Sequence, residues 1–172
     1  MLRYWQPVIV PGLFQTAEYA RALFVAAGAD DGQADDLVTA RLDRQAILER
    51  PEPPHVVTIL DEAVLHRLIG SPQIMTEQLG YLAERAMLPH VSVQVLPIEN
   101  GANAGLSGGF ALASCDSAPD TLRMEAVEDV TAESRALVRK AVNIFVRVQA
   151  DALPRVASRT LILEAAEQWK TR

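Results

Sequence analysis

Apolar residues recur at spacings of three and four along several stretches of the chain, which is the pattern of an amphipathic helix. The second of these stretches can be capped by Asp30 or Asp31 and ends at the ERPEPP segment. Another begins at Ser71-Pro72, where a capping serine precedes a proline at the first helical position. A long one can be capped by Thr131. The pattern predicts helices over about residues 13–27, 30–50, 62–68, 71–87, 131–154 and 155–169.

Short runs of β-branched and apolar residues predict strands at 55–60 (HVVTIL) and 91–96 (VSVQVL). Within the second run, alternation places Gln94 and its even-numbered neighbours on one face and the valines on the other. The connection between the two strands has about 30 residues and contains a helix, so we expect the strands to pair in parallel as a βαβ unit.

A loop rich in glycine and asparagine follows Pro97, and strands are then predicted at 110–114 and 121–127, forming an antiparallel hairpin. Prolines surround the apolar triplet of the first segment, so residues 1–12 are predicted to be an extended arm, or an edge strand at most. The expected fold is α+β. It is a single domain over 1–172, with a mixed four-stranded sheet, about five to six helices, and a C-terminal helix pair at 131–172.

Composition narrows the function classes. The chain has 172 residues, 49% of them hydrophobic, and no apolar run approaches the length of a membrane span, so we expect a cytoplasmic protein without membrane contact. The single cysteine and three scattered histidines offer no metal-ligand spacing, and we expect neither a metal nor another cofactor.

The net charge is −6, and residues 1–100 hold 7 Lys and Arg against 13 Asp and Glu. Such a chain is repelled by phosphate backbones, so direct nucleic-acid binding is not expected. The glycine-rich loop lacks the lysine of a phosphate-binding loop, and no nucleophile elbow is present in the sequence. The aromatic residues near the N-terminus favour an apolar small molecule or a protein partner.

Several polar residues are candidates for a site. Arg41, Arg44 and Gln45 share one patch of the second helix and could grip an anion, or simply form a solvated face. Asp61 and Glu62 follow the first central strand, where an acid is either a helix cap or part of a ligand site.

Two further candidates lie inside predicted strands. Gln94 and Glu125 each occupy the middle of a strand, and such a polar side chain must face solvent, a partner or a cavity.

Five segments together resemble one family: PGLFQTAEYARAL, ARLDRQAILERPEPP, LDEAVLHR, VSVQVLP and GANAGLSGGF. They are similar to the C-terminal domain of unknown function in Streptomyces-type helix-turn-helix regulators of the XRE class, which are sometimes described as antitoxin-like. The resemblance covers about residues 5–125. It implies an effector domain behind a DNA-binding domain, whereas this chain starts at Met1 directly in the effector part, so we expect no reading of DNA.

Three hypotheses follow. The first is a stand-alone effector-type domain that binds an apolar small molecule. The second is a cofactor-independent enzyme of secondary metabolism, a cyclase or isomerase, in which Glu62 or Glu125 supplies acid or base. The third is an antitoxin-like module that binds protein, with a homodimer as a further option.

The first two hypotheses need an apolar cavity near the carboxyl ends of the parallel strands. We expect that cavity to be bordered by Tyr19, Arg44, Glu62, Gln94 and the loop 101–109. The candidate ligand-binding residues are Tyr19, Arg41, Arg44, Gln45 and Gln94.

Overall fold

The computed structural model describes residues 1–115, 118–124, 130–132 and 134–172. Its strands form one six-stranded mixed sheet in the order β3-β2-β1-β4-β5-β6. The strands are β1 (Leu2–Gln6), β2 (Val56–Asp61), β3 (Val91–Leu96), β4 (Phe110–Cys115), β5 (Ala118–Met124) and β6 (Val130–Ala132). The helices are α1 (Ala17–Ala26), α2 (Asp31–Gln45), α3 (Ala63–His66), α4 (Pro72–Arg85), α5 (Arg135–Asp151) and α6 (Arg155–Lys170).

The predicted strand pairings are confirmed. β2 and β3 are parallel, with Val56 opposite Val91 and Leu60 opposite Val95. β4 and β5 are antiparallel, with Phe110 opposite Met124. The α+β class and the βαβ unit formed by β2 and β3 therefore follow from the sequence pattern, because a helical crossover of this length returns the chain in the same direction.

The prediction for the N-terminal segment is wrong. Leu2–Gln6 is neither an arm nor an edge strand, since β1 lies in the middle of the sheet, parallel to β2 and antiparallel to β4. Pro7 follows the last paired residue, so it ends the strand without removing a hydrogen bond from it.

Two differences explain why the sheet has six strands instead of the predicted four. β1 is one of the additional strands, and β6 is the other, a three-residue strand paired with β5. Thr131 belongs to β6, so it does not cap the long helix; α5 instead begins at Arg135, directly after Ser134.

The two faces of the sheet are covered by different helices. On one face, the valines of β3 pack together with Val56 and Leu60 of β2 against α1, α3, α4 and α6. On the other, Trp5, Ile59, Leu96 and Phe110 pack beneath α5. We call these the α4 face and the α5 face. The alternation expected for β3 is confirmed, because Val95 and Leu96 belong to different cores.

The outer edge of β3 is closed by the start of α6. The amide of Val95 donates to Ser158 Oγ at 2.9 Å, and the carbonyl of Val95 accepts from the Leu153 amide at 2.8 Å. Arg155 donates to the Val91 carbonyl at 2.8 Å. These bonds satisfy backbone groups that an open edge would present to other chains.

Two of the helix N-caps expected from the sequence, Asp30 and Ser71, are present. Asp30 accepts from the Gln33 amide at 2.9 Å in a reciprocal capping box, and Ser71 accepts from the Ile74 amide at 3.2 Å. Within the described ranges, no helix combines the length and apolarity needed to cross a bilayer.

Candidate functional site

A pocket of about 180 Å³ opens on the α4 face, where β1, β4 and β5 meet α2. Three of the residues around it are arginines, and none of the described residues around it is a carboxylate. We call it the arginine pocket. Its lining residues are Tyr4, Pro11, Gly12, Leu13, Arg41, Arg44, Ala111 and Arg123.

The strand register produces the floor of this pocket. Tyr4, Ala111 and Arg123 lie opposite one another on β1, β4 and β5, so their side chains share one face. The small side chain of Ala111 in the middle leaves space between an aromatic ring and a guanidinium. A cation and an apolar surface therefore meet at one place.

Arg41 is held in place from three sides. Its Nη1 donates a hydrogen bond of 2.6 Å to Gln15 Oε1, and its guanidinium lies 4.7 Å from the centroid of the Phe24 ring. Its stem passes so close to Gly12 that a Cβ there would lie 2.9 Å from Arg41 Cδ. The position of this cation is thus set by the fold before any ligand arrives.

The group that orients Arg41 is itself buried and hydrogen-bonded. Gln15 has no exposed surface, and its Nε2 donates to the Val10 carbonyl at 2.6 Å. The Val10 amide in turn donates to Tyr19 Oη at 3.2 Å. Burial raises the pKa of the Tyr19 hydroxyl to about 12, so it stays protonated at neutral pH. Tyr19 therefore supports the pocket from behind and does not line it.

Gln45 and Gln78 fasten the short 3₁₀ turn Gly12–Phe14 that forms the pocket wall. Gln45 Nε2 donates to the carbonyl of Gly12 at 2.9 Å and to that of Gln15 at 2.8 Å. Gln78, fully buried on α4, donates to the Phe14 carbonyl at 2.6 Å and accepts from the Thr16 amide at 2.8 Å. Gln78 was not among the predicted site residues. A glutamine on the apolar stripe of a helix was the signal for it.

Arg44 is exposed at the mouth of the pocket, and within the described part of the chain no hydrogen bond or ion pair holds its side chain. Arg123 was also missed by the sequence reasoning. The signal for it was a basic residue between Leu122 and Met124 in a predicted strand. Of the predicted candidates, the structure brings Arg41 and Arg44 to the pocket and places Tyr19 and Gln45 behind it.

The acids after β2 have local partners. Asp61 Oδ1 accepts from the Ala63 amide at 2.9 Å, so it bonds the first amide of α3 from the position before the N-cap residue, Glu62. Glu62 Oε2 accepts from the Ile98 amide at 2.9 Å, and its Oε1 lies 3.5 Å from His66 Nε2. Glu62 thereby ties the end of β2 to the segment after β3.

Gln94 belongs to the α5 face. Its Nε2 donates to the Leu153 carbonyl at 3.0 Å, and its Oε1 accepts from Gln149 Nε2 at 3.1 Å. The single cavity expected from the sequence is therefore not formed by the described residues, because Tyr19 and Arg44 lie on one face of the sheet and Gln94 on the other. Glu125 lies outside the described residues.

A second concavity, of about 310 Å³, runs between α5 and the β4–β5 hairpin. We call it the hairpin groove. Loop residues 107–109 form its rim, and its other lining residues are Phe110, Leu122, Met124, Leu137, Lys140, Ala141 and Ile144. The loop is anchored from within the sheet, since Trp5 Nε1 donates to the Gly105 carbonyl at 2.8 Å.

No group of His, Cys, Asp and Glu among the residues that the structure describes is placed to hold a metal ion. The chain has no match among curated proteins or solved structures. A family model described as a domain of unknown function (DUF5753) matches residues 1–164. Because that match spans almost the whole chain, the protein belongs to the DUF5753 family.

Proposed function

We propose that this chain is a ligand-binding domain whose arginine pocket takes the carboxylate or phosphate group of a small amphipathic molecule. The observation that carries the proposal is the fixed position of Arg41, which is oriented by the buried amide of Gln15 at 2.6 Å. A guanidinium that is oriented in advance loses little conformational entropy when it binds a ligand. Its affinity for the ligand is therefore higher than that of a mobile guanidinium.

The ligand class follows from the pocket walls. Arg41, Arg44 and Arg123 supply planar donors that pair with carboxylate or phosphate oxygens, in bidentate fashion where geometry allows. Tyr4 and Leu13 supply apolar contact beside them. A volume of about 180 Å³ holds an acidic group with a few carbons, so a larger apolar body would extend toward the opening.

Calorimetric titration with octanoate, benzoate and inorganic phosphate tests this proposal. We expect saturable binding of at least one carboxylate. Arg44→Gln should weaken it about threefold to tenfold, because this side chain is exposed, and Arg41→Lys about tenfold or more, because lysine cannot reproduce the planar fork. Urea titration of each variant checks that the fold is retained.

Arg50→Gln is the matched control, since Arg50 is exposed and lies outside the pocket. It should bind the carboxylate as the wild type does. Absence of saturable binding for all three probes would overturn the proposal, and so would equal affinity in folded Arg41→Lys, Arg44→Gln and wild-type protein.

We further propose that the domain acts in the cytoplasm as the ligand-sensing part of regulators of the XRE helix-turn-helix class. The support is the resemblance of its motifs together with membership of the DUF5753 family. The alternative of a cyclase or isomerase has less support, because both oxygens of Glu62 already serve Ile98 and His66.

A further inference from the structure

Helix α5 carries a concentration of positive charge on its exposed surface. Arg135, Arg139, Lys140 and Arg147 are all exposed, and the only acid on the helix is Asp151 in its last position. None of these four side chains has an ion-pair or hydrogen-bond partner within the described ranges. Arg21 on α1, by contrast, forms ion pairs with both Asp31 and Asp35.

The periodicity of the helix aligns these charges. Positions 135, 139, 143 and 147 are four apart, so Arg135, Arg139, Asn143 and Arg147 form one stripe, about 18 Å long, on the side of α5 away from the sheet. Lys140 and Ile144 lie beside the stripe, and a shallow depression along the helix is lined by residues of both rows. We call this surface the basic stripe.

The hairpin groove runs alongside the basic stripe. Lys140 and Ile144 line both the groove and the depression on α5, so the two surfaces are continuous. Leu137 at the groove has 41% of its surface exposed, and Leu106, in the loop before the rim residues, has 66%. An apolar channel is thus bordered on one side by a row of cations.

We propose that this surface docks an acidic amphipathic helix of another protein. Such a helix presents an apolar stripe, which fits the groove, and carboxylates at four-residue spacing on its flank, which fits the charges of the basic stripe. Because the basic stripe is positively charged, it favours an acidic partner over a neutral one.

Charge also decides against nucleic acid as the occupant. The chain as a whole carries −6 although α5 alone is positive, so the remainder of the molecule is more acidic than the total. A long polyanion would meet this acidic surface on either side of an 18 Å stripe, whereas about 13 residues of an acidic helix span the same length as the stripe. The apolar groove, moreover, gives no advantage to a phosphate backbone.

A display library of random 16-residue helical peptides, selected on the full chain, tests the proposal. We expect the selected peptides to be enriched in Glu and Asp at four-residue spacing beside an apolar stripe. The double variant Arg139→Gln/Lys140→Gln should weaken their binding at least tenfold, and Leu137→Ala about threefold. Raising the salt concentration to 0.5 M should also weaken it.

The matched control is Arg50→Gln/Lys170→Gln, which removes one arginine and one lysine from other exposed surfaces and should leave peptide affinity unchanged. Selected peptides without an excess of acid would overturn the proposal. Equal binding to the Arg139→Gln/Lys140→Gln variant would do so too, as would tighter binding of a 20-base-pair DNA duplex than of any selected peptide.

Discussion

The indole nitrogen of Trp5 donates a hydrogen bond of 2.8 Å to the carbonyl oxygen of Gly105. The ring is fully buried, and it lies so close to the loop that a Cβ at residue 105 would come within 2.3 Å of ring atoms. Only glycine fits this contact. β1, one of the two central strands of the sheet, thereby holds the loop that leads to the rim of the hairpin groove.

We expect Gly105→Ala to lower the free energy of unfolding by about 1–3 kcal/mol, because the added methyl group must displace either the loop or the buried ring. Urea denaturation followed by circular dichroism measures this change. Gly80→Ala is the matched control. A Cβ at Gly80 meets no atom within 4 Å, and the substitution lies inside α4, so it should stabilise the protein by about 0.5–1 kcal/mol. A Gly105→Ala protein as stable as the wild type would contradict the role given to this contact.

The support behind the arginine pocket is tested by Gln15→Leu. This change keeps the side-chain volume similar but removes the Gln15 amide that donates to the Val10 carbonyl and accepts from Arg41 Nη1. The expected loss is about 2–4 kcal/mol, since one buried and one partly buried hydrogen bond are removed. Gln73→Leu, at an exposed position whose partner is Glu77, should change stability by less than about 0.5 kcal/mol. Similar losses for the two variants would show that the hydrogen bonds of Gln15 contribute no more to stability than those of an exposed glutamine.

The sequence predicts the elements of the fold that depend on local periodicity. It predicts less well the elements whose position depends on a single long-range contact. The parallel pairing of β2 and β3 follows from a local crossover, and the caps at Asp30 and Ser71 follow from residue type. The place of β1 does not, because its partners are distant in the chain and the prolines nearby suggested an arm. The candidate site shows the same division. Arg41 and Arg44 share a helix face that spacing reveals, but the register of β5 against β4 brings in Arg123, and spacing along one element does not encode that.

The difference in unfolding free energy between Tyr19→Phe and the wild type should change at alkaline pH, because the Tyr19 hydroxyl ionises there. Burial raises the pKa of Tyr19 to about 12, above its value near 10 in the unfolded chain. Between these values the unfolded state releases the proton and the folded state keeps it, so the stabilisation is complete below pH 10 and is lost as the pH rises through 12.

At pH 8, Tyr19→Phe should be less stable by about 1 kcal/mol, because the Val10 amide loses its acceptor. From pH 10 to 12 the wild type should lose roughly 2 kcal/mol more than the variant. Urea denaturation of both proteins at pH 8, 10.5 and 11.5 measures the difference, in which the titration of the other tyrosines cancels. A constant difference across this range would contradict a buried hydroxyl at this position.

The closed edge of β3 gives a further prediction. Ser158→Ala removes the oxygen that accepts from the Val95 amide, and the expected cost is about 1–3 kcal/mol with faster hydrogen exchange at Val95. Thr160→Ala removes an exposed hydroxyl that donates to the Val156 carbonyl of the same helix, so exchange at Val95 should not change. Unaltered exchange at Val95 in Ser158→Ala would show that this edge is held by other groups.

The position of β1 has a consequence for the order in which the molecule assembles. The amino group of Met1 bonds to the carbonyl of Ser114, 113 residues along the chain, and β1 needs partners from β2 and from β4. During synthesis β1 therefore leaves the ribosome well before its second neighbour, β4, has been made. Contacts of such sequence separation slow folding, and until β4 arrives the chain exposes an unpaired strand edge carrying Trp5. Chains interrupted before residue 110 should consequently aggregate or bind chaperones, although most of their helices are already complete.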